Sequence, residues 1–288
     1  MAFLTATLCL LALAALLLVT AVVMSFFLTR RYHLVETRSP AEVGLAFENV
    51  AFRAGDGLLL RGWWIPAPGS DRAIVQLHGH AGSMDPDVQY LPAWHAAGLN
   101  VLAFDLRAHG RSEGRATTFG YLERYDVQGA VHFLKQEKGM RRIALVGFSL
   151  GGIVAILSAP NCPEVDVVVE DGAPARLRSA LTARLVESHL PAWFALFLAR
   201  LAIVGASLRM RANLFRYEPV RWVGRIAPRP LLIVHGELDQ YCPDFEDLLA
   251  AAHPTEVWHL PGVGHVQASV VYPEEYRQRL VTFLNRYL

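Results

Sequence analysis

Ser149 stands in the run Gly147-Phe148-Ser149-Leu150-Gly151-Gly152, and no other residue of the chain has a type and setting so well suited to nucleophilic chemistry. The run follows the apolar stretch Ile143-Ala144-Leu145-Val146 and precedes Ile153-Val154-Ala155-Ile156-Leu157. A strand, a tight turn and a helix in that order hold the central Ser of G-x-S-x-G in a strained conformation with its hydroxyl projecting from the sheet edge. Gly147 and Gly151 spare the turn a Cβ that would strike the neighbouring strand or helix. The N-terminus of the following helix points at the hydroxyl, where it favours a developing negative charge. The bland alternative is a glycine-rich turn with a bystander Ser, and the strand-to-helix setting argues against it.

A Ser nucleophile needs a base, and the base needs an orienting acid. His265 ends the glycine-rich loop Pro261-Gly262-Val263-Gly264-His265, which allows a ring to lean over the nucleophile. His253, before Pro254, and His259, within a predicted strand, compete poorly. Their sixfold spacing with His265 matches no helical metal-ligand pattern. Asp239, just after the strand predicted at 231–234, is the expected acid, with Asp171 the second candidate and Glu237 a loop residue. A tetrahedral intermediate also needs two converging backbone donors. One is the N–H of Leu150. The other comes from His78-Gly79-His80-Ala81-Gly82, with the His80 N–H as first choice and that of Ala81 as the alternative. His78 and His80 lack carboxylate or thiol companions for a metal, so neither a metal nor a cofactor is expected.

These residues need a scaffold that brings them to one edge. Short apolar strands are predicted at 47–53, 58–65, 73–77, 100–104, 143–146, 165–169, 230–234 and 256–260. Helices are predicted at 85–97, 121–138 and 273–288. Apolar strands alternating with helices imply a mostly parallel sheet covered on both faces. Ligands of such sheets bind at the carboxyl ends of the strands, where every candidate above falls.

The first 28 residues contain no charged side chain, more than the roughly 20 apolar residues needed to cross a bilayer. No Lys or Arg precedes the apolar core, and the segment runs into Arg30-Arg31, which favours an uncleaved anchor over a signal peptide. With Arg30, Arg31 and Arg38 on its C-terminal side, the positive-inside bias places the remainder in the cytoplasm. The expected organisation is a transmembrane anchor at 1–30, a linker at 31–46, with the core of that linker around 36–44, and one α/β domain at 47–288. Within that domain an insertion at about 174–226 is expected to form a helical cap. Its run around Trp193 and Phe197 either packs on the body or touches the bilayer, and Arg200 and Gly205 argue against a second span. Lys+Arg 27 against Asp+Glu 26 leaves no charge excess to attract nucleic acid. Cys9, Cys162 and Cys242 show no disulfide or metal spacing. The oligomeric state is not legible.

The whole pattern, from about residue 47 to 288, resembles the α/β-hydrolase superfamily, in which nucleophile, acid and His follow in the chain order Ser, Asp, His seen here. Leu60-Arg61-Gly62-Trp63 is similar to the family's opening hairpin. Asp105-Leu106-Arg107-Ala108-His109-Gly110-Arg111-Ser112 is similar to its D-x-R-x-x-G-x-S loop, whose charged residues brace the site. The resemblance is nearest to serine-aminopeptidase-like and lysophospholipase-like members, and Ser at 149 sets the chain apart from branches with a carboxylate nucleophile. It implies an α/β-hydrolase fold and a catalytic triad of Ser149, Asp239 and His265. The expected activity is a membrane-anchored serine hydrolase acting on carboxylic esters, with a hydrophobic or lipid-type ester as substrate. A peptidase or amidase with the same triad, and a silent membrane-bound scaffold, are the alternatives.

Overall fold

The computed structural model describes residues 2–33 and 38–288; residues 34–37 of the expected linker lie outside the described residues. Helix α1 (Ala2–Thr29) opens the chain. A 3-10 turn at Pro40–Val43 then leads to β1 (Glu48–Arg53), β2 (Leu59–Ile65) and β3 (Arg72–Leu77). Helix α2 (Leu91–Ala96), β4 (Asn100–Phe104), α3 (Glu123–Gln136), β5 (Arg142–Phe148), α4 (Leu150–Ser158) and β6 (Val167–Asp171) follow. Helices α5 (Leu177–Glu187) and α6 (Ala192–Met210), then short 3-10 turns, separate β6 from β7 (Leu231–Gly236). Helix α7 (Phe245–Ala251), β8 (Glu256–Leu260), the single turn α8 (Ala268–Val271) and α9 (Pro273–Tyr287) complete it.

The eight strands form one sheet in the order β1-β2-β4-β3-β5-β6-β7-β8. Only β1–β2 and β2–β4 pair antiparallel; β4, β3, β5, β6, β7 and β8 are parallel, as the strand–helix alternation predicts. The central strands are apolar at nearly every position because both faces are covered. Ala73, Val75 and Leu77 of β3, with Ile143 and Leu145 of β5, enter the core beneath α3 and α4. The intervening Ile74, Ala144 and Val146 enter the other core, against α2 and α9. Every residue of α4 is buried, so this helix needs no polar face.

Three elements depart from the sequence reading for local reasons. The predicted helix at 85–97 divides into a 3-10 turn, Pro86–Tyr90, and α2, with a proline near the start of each. A proline has no N–H to donate and is tolerated only in a first turn. Helix α3 begins at Glu123, not at 121, because the Glu123 carboxylate gathers the preceding loop. It accepts from the N–H groups of Thr118 and Gly120 and from the hydroxyls of Thr117 and Thr118. Strand β6 starts two residues late and carries Asp171 as its last residue, where the Asp171 carbonyl accepts the Ser149 N–H at 2.8 Å.

The loops at the carboxyl edge of the sheet are tied by buried polar groups. Arg107 donates to both oxygens of Asp56 at 2.8 and 2.9 Å and, through Nε and Nη2, to Asp126 Oδ1 at 2.8 and 2.7 Å. His78 donates from Nδ1 to the Gly79 carbonyl and accepts the Leu106 N–H at Nε2, which fixes its neutral tautomer. Burial, with His109 nearby, pushes the His78 pKa down to about 4.

By length and composition α1, over Phe3–Thr29, and α6 are each apolar enough to cross a membrane. Helix α6 continues through both Arg200 and Gly205 without a break. Gly205 is a contact point. A Cβ there would run into the Ala21 carbonyl of α1, and Ala21 and Ser25 are buried against it. Beyond α1 the chain stays attached to the body. Thr117 N–H donates to the Thr29 carbonyl, Tyr32 N–H to the Ala108 carbonyl and Gly110 N–H to the Tyr32 carbonyl. The Arg31 guanidinium donates to the carbonyls of Ser112 and Gly114, each at 2.7 Å.

Two outcomes follow from this packing. Gly205→Leu should force α6 away from α1 and cost about 1–3 kcal/mol. Thermal unfolding of the full chain in detergent checks this, and an unchanged midpoint contradicts it. For His78 the folded state is neutral while the unfolded state takes a proton below the usual histidine pKa. Its contribution is therefore present above about pH 6.5 and is lost as pH falls toward 4. At pH 5 the loss is about 2 kcal/mol. Denaturant titrations at pH 7.5 and 5.0 should show a pH penalty smaller by about that amount in His78→Gln; equal penalties contradict the assignment.

Candidate active site

Strand β5 ends at Phe148 and α4 begins at Leu150, so the entire reversal falls on Ser149, with φ 52° and ψ −108°. Positive φ is costly for a residue with a Cβ and persists only where the surroundings enforce it. Both predicted glycines do so. A Cβ on Gly147 would strike the Gly151 carbonyl, and one on Gly151 would strike the Leu77 carbonyl at the end of β3. Strand, turn and helix therefore approach closer than any larger residue permits.

The three residues predicted to act together converge. His265 Nε2 lies 2.8 Å from Ser149 Oγ, and His265 Nδ1 lies 2.7 Å from Asp239 Oδ2. Asp239, which follows β7, is 5% exposed, and its other oxygen accepts the Tyr241 N–H at 2.9 Å. The Tyr241 ring meets the His265 ring edge-on at a centroid distance of 4.9 Å. Glu237, expected as a loop residue, accepts the Gly262 N–H and so braces the loop that carries His265. Asp171, the second candidate acid, bonds elsewhere: its Oδ2 accepts the Tyr276 hydroxyl at 2.8 Å. Burial pushes the Asp171 pKa up to about 7, the opposite of what a permanently charged partner for His265 needs. Glu170 beside it is also buried, and burial raises its pKa well above the usual carboxylate range.

His80 and Ala81, from the loop after β3, line one cavity with Ser149, Leu150 and His265. Ala81 has φ 58°, and Gly79 brings the loop close enough that a Cβ there would lie 3.8 Å from Ser149 Cβ. The N–H groups of His80, Ala81 and Leu150 donate no hydrogen bond among the described residues. Desolvation pushes the His80 side chain down to about 3, so the ring is neutral. Both nitrogens of His78 are engaged in the hydrogen bonds given above, so His78 and His80 do not form a metal pair. A second group, His235, Asp239 and Cys242, has ligand atoms within 4.8 Å of one another. Asp239 is committed there to His265 and Tyr241, and Cys242 Sγ to the Gly172 carbonyl.

The cavity has a volume of about 520 Å³. One wall is the cap, with Leu177, Ala180 and Leu181 of α5. Another is supplied by Phe27 and Leu28 of α1 and by Arg30 and Tyr32 beyond it. Sequence reasoning missed these four residues, because no local pattern announces a contact between the N-terminal helix and a pocket formed more than 100 residues later. The aromatic residue directly after Arg30-Arg31 is the only trace. The Tyr32 ring stacks on His109 at 5.4 Å and meets His80 edge-on at 4.8 Å, so it packs against the loop after β3.

Comparison with known proteins agrees with this architecture. Residues 58–280 match the model of the alpha/beta hydrolase family. Among solved structures, the Pyrococcus furiosus esterase Pf2001 superposes with a TM-score of 0.75 at 27% identity, covering 90% of this chain and 98% of that one. Among curated proteins, the chain is 28% identical over 251 residues to the uncharacterized protein YfhR of Escherichia coli K12, covering 82% of this chain and 80% of that protein. It is 30% identical over 236 residues to the uncharacterized protein Rv2307c of Mycobacterium tuberculosis, covering 79% and 75%. Sheet order, the elbow at Ser149 and the family match lead to one conclusion: the chain belongs to the alpha/beta hydrolase family.

Proposed function

We propose that the chain is a membrane-anchored serine hydrolase that cleaves carboxylic esters with hydrophobic acyl groups. The observation that carries this reading is the aligned series Asp239–His265–Ser149, with its 2.7 and 2.8 Å contacts, at the base of a cavity walled partly by α1. Ser149 Oγ attacks the acyl carbon while His265 Nε2 takes its proton. Asp239 accepts from Nδ1–H, holds the tautomer and stabilises the imidazolium. The negative charge on the former carbonyl oxygen falls to the N–H groups of Leu150 and of His80, with Ala81 as the neighbouring alternative. Collapse returns the proton to the leaving alcohol and leaves an acyl-serine. Water, deprotonated by His265, then releases the acid and restores Ser149.

Esterase is the activity named for the P. furiosus neighbour. Two observations support a hydrophobic ester. Phe27, Leu28, Leu177 and Leu181 give the cavity apolar walls. Trp193, Phe197, Val204 and Leu208 form an exposed apolar stripe on α6 beside the exposed first half of α1, interrupted by Arg200. The role of Phe27 and Leu28 in the cavity also favours an uncleaved anchor, since removing α1 would open the wall. Arg30, Arg31 and Arg38 after it favour a cytoplasmic catalytic domain. An aminopeptidase-type amidase needs a carboxylate to clamp the substrate's amine, and among the described residues no Asp or Glu lines the cavity.

The full-length protein in detergent should be labelled by a fluorophosphonate, and Ser149→Ala should abolish labelling; equal labelling of the two proteins removes the serine-hydrolase reading. Asp239→Asn should lower kcat for an activated ester by about 10⁴-fold with its thermal midpoint nearly unchanged. Near-normal turnover in that variant would transfer the acid role away from Asp239.

A further inference from the structure

A second and larger cavity, of about 750 Å³, opens where α1 ends, between that helix, the last turn of α6 and the loop after β4. Five arginines from three separate parts of the chain line it: Arg30, Arg31, Arg107, Arg115 and Arg209. No Asp or Glu lines it among the described residues. Arg107, at its back, is neutralised by Asp56 and Asp126. Arg31 is spent on loop carbonyls. The other three have no carboxylate partner among the described residues. Among the described residues Arg209 donates only to the hydroxyls of Ser25 and Thr29, both at 3.1 Å, with its guanidinium 3.4 Å from the Phe26 ring centroid. Arg30 lies over the Tyr32 ring at 5.1 Å, and Arg115 is exposed on its loop.

Unpaired like charges repel when drawn toward a common cavity, and the arrangement is relieved when an anion joins them. Guanidinium groups suit the oxygens of a phosphate, which they hold through parallel, charge-assisted hydrogen bonds. The remaining wall is apolar, with Phe26, Phe27, Leu58, Leu122 and Met210. Cationic and apolar surfaces side by side fit an amphiphile better than a soluble anion. A cavity at the end of an anchor helix also lies at the depth of lipid headgroups.

We infer that this arginine-lined cavity binds the phosphate headgroup of an anionic phospholipid, with the adjoining apolar wall receiving the start of its acyl chains. The inference rests on the anchor reading of α1 and is independent of the chemistry at Ser149. Because Phe27 and Arg30 line both cavities, a bound lipid would also steady one wall of the catalytic pocket.

The test is a binding titration of the full-length protein in an uncharged detergent, read by intrinsic tryptophan fluorescence and by the thermal midpoint. The probes are dioctanoyl phosphatidic acid, dioctanoylglycerol and inorganic phosphate, on Ser149→Ala protein so that none is consumed. Phosphatidic acid should bind and raise the midpoint, with the other two at least about tenfold weaker. Arg115→Gln and Arg209→Gln should each weaken it by about tenfold, the loss expected for one charge-assisted contact. The remote Arg286→Gln should leave it unchanged. Arg115 is exposed and has no partner to lose among the described residues, so its variant keeps the test valid if Arg209→Gln fails to fold. Equal binding of phosphatidic acid and dioctanoylglycerol, or equal affinity in wild type and Arg115→Gln, overturns the site. Inorganic phosphate binding as tightly as phosphatidic acid overturns its assignment to a lipid. Fluorophosphonate labelling of the same arginine variants in a Ser149 background reports on the catalytic reading separately.

Discussion

Ser149 is held at φ 52° because β5, α4 and the end of β3 meet at a separation that only Gly147 and Gly151 permit. Much of the site follows from that one constraint. The strained turn aims the hydroxyl at His265, sets the Leu150 N–H at the start of a buried helix and places the loop after β3 beside Ser149. The strain is sustained by β5–β3 and β5–β6 pairing and by the apolar cores on both faces of the sheet. A residue in such a conformation costs of order 1–3 kcal/mol, which a wholly buried α4 readily offsets. Stability of the sheet and the conformation of Ser149 are thus coupled through the same backbone contacts.

A second dependence runs from the N-terminal helix to the site. Helix α1 meets α6 at Ala21 and Gly205, continues to the mouth of the catalytic cavity and is then fixed to the loop after β4 through Thr29, Arg31 and Tyr32. That same loop is anchored to His78 and, through Arg107, to Asp56 and Asp126. The helix, the loops after β3 and β4 and the opening hairpin therefore form one connected body.

What the sequence made legible was local. The G-x-S-x-G run, the glycines around His265 and the acid after β7 each depend on a few neighbouring residues, and the structure brings Ser149, His265 and Asp239 within hydrogen-bonding distance. Strand positions were readable because both sheet faces are buried, which leaves long apolar runs. Element ends were less so: Pro86, Pro92 and the carboxylate of Glu123 moved helix boundaries, and the strand predicted at 165–169 runs instead from Val167 to a buried Asp171. Least legible were contacts between distant segments. Gly205 reads as a helix breaker until Ala21 is seen against it, and nothing near Phe27 or Leu28 signals that they line a pocket with Ser149. Nor does any local pattern gather Arg30, Arg115 and Arg209.

If Ser149, His265 and Asp239 act together on an ester held against Phe27 and Leu28 of α1, acyl-length dependence reports on both parts at once. Measured on p-nitrophenyl esters from acetate to dodecanoate with the full-length protein, kcat/KM should rise by up to about fourfold per added methylene until the pocket is filled, as burial of about 0.8 kcal/mol per CH₂ requires. Phe27→Ala with Leu28→Ala should flatten that rise while leaving acetate hydrolysis unchanged. A profile that falls with chain length, or one the double variant does not alter, would contradict the account.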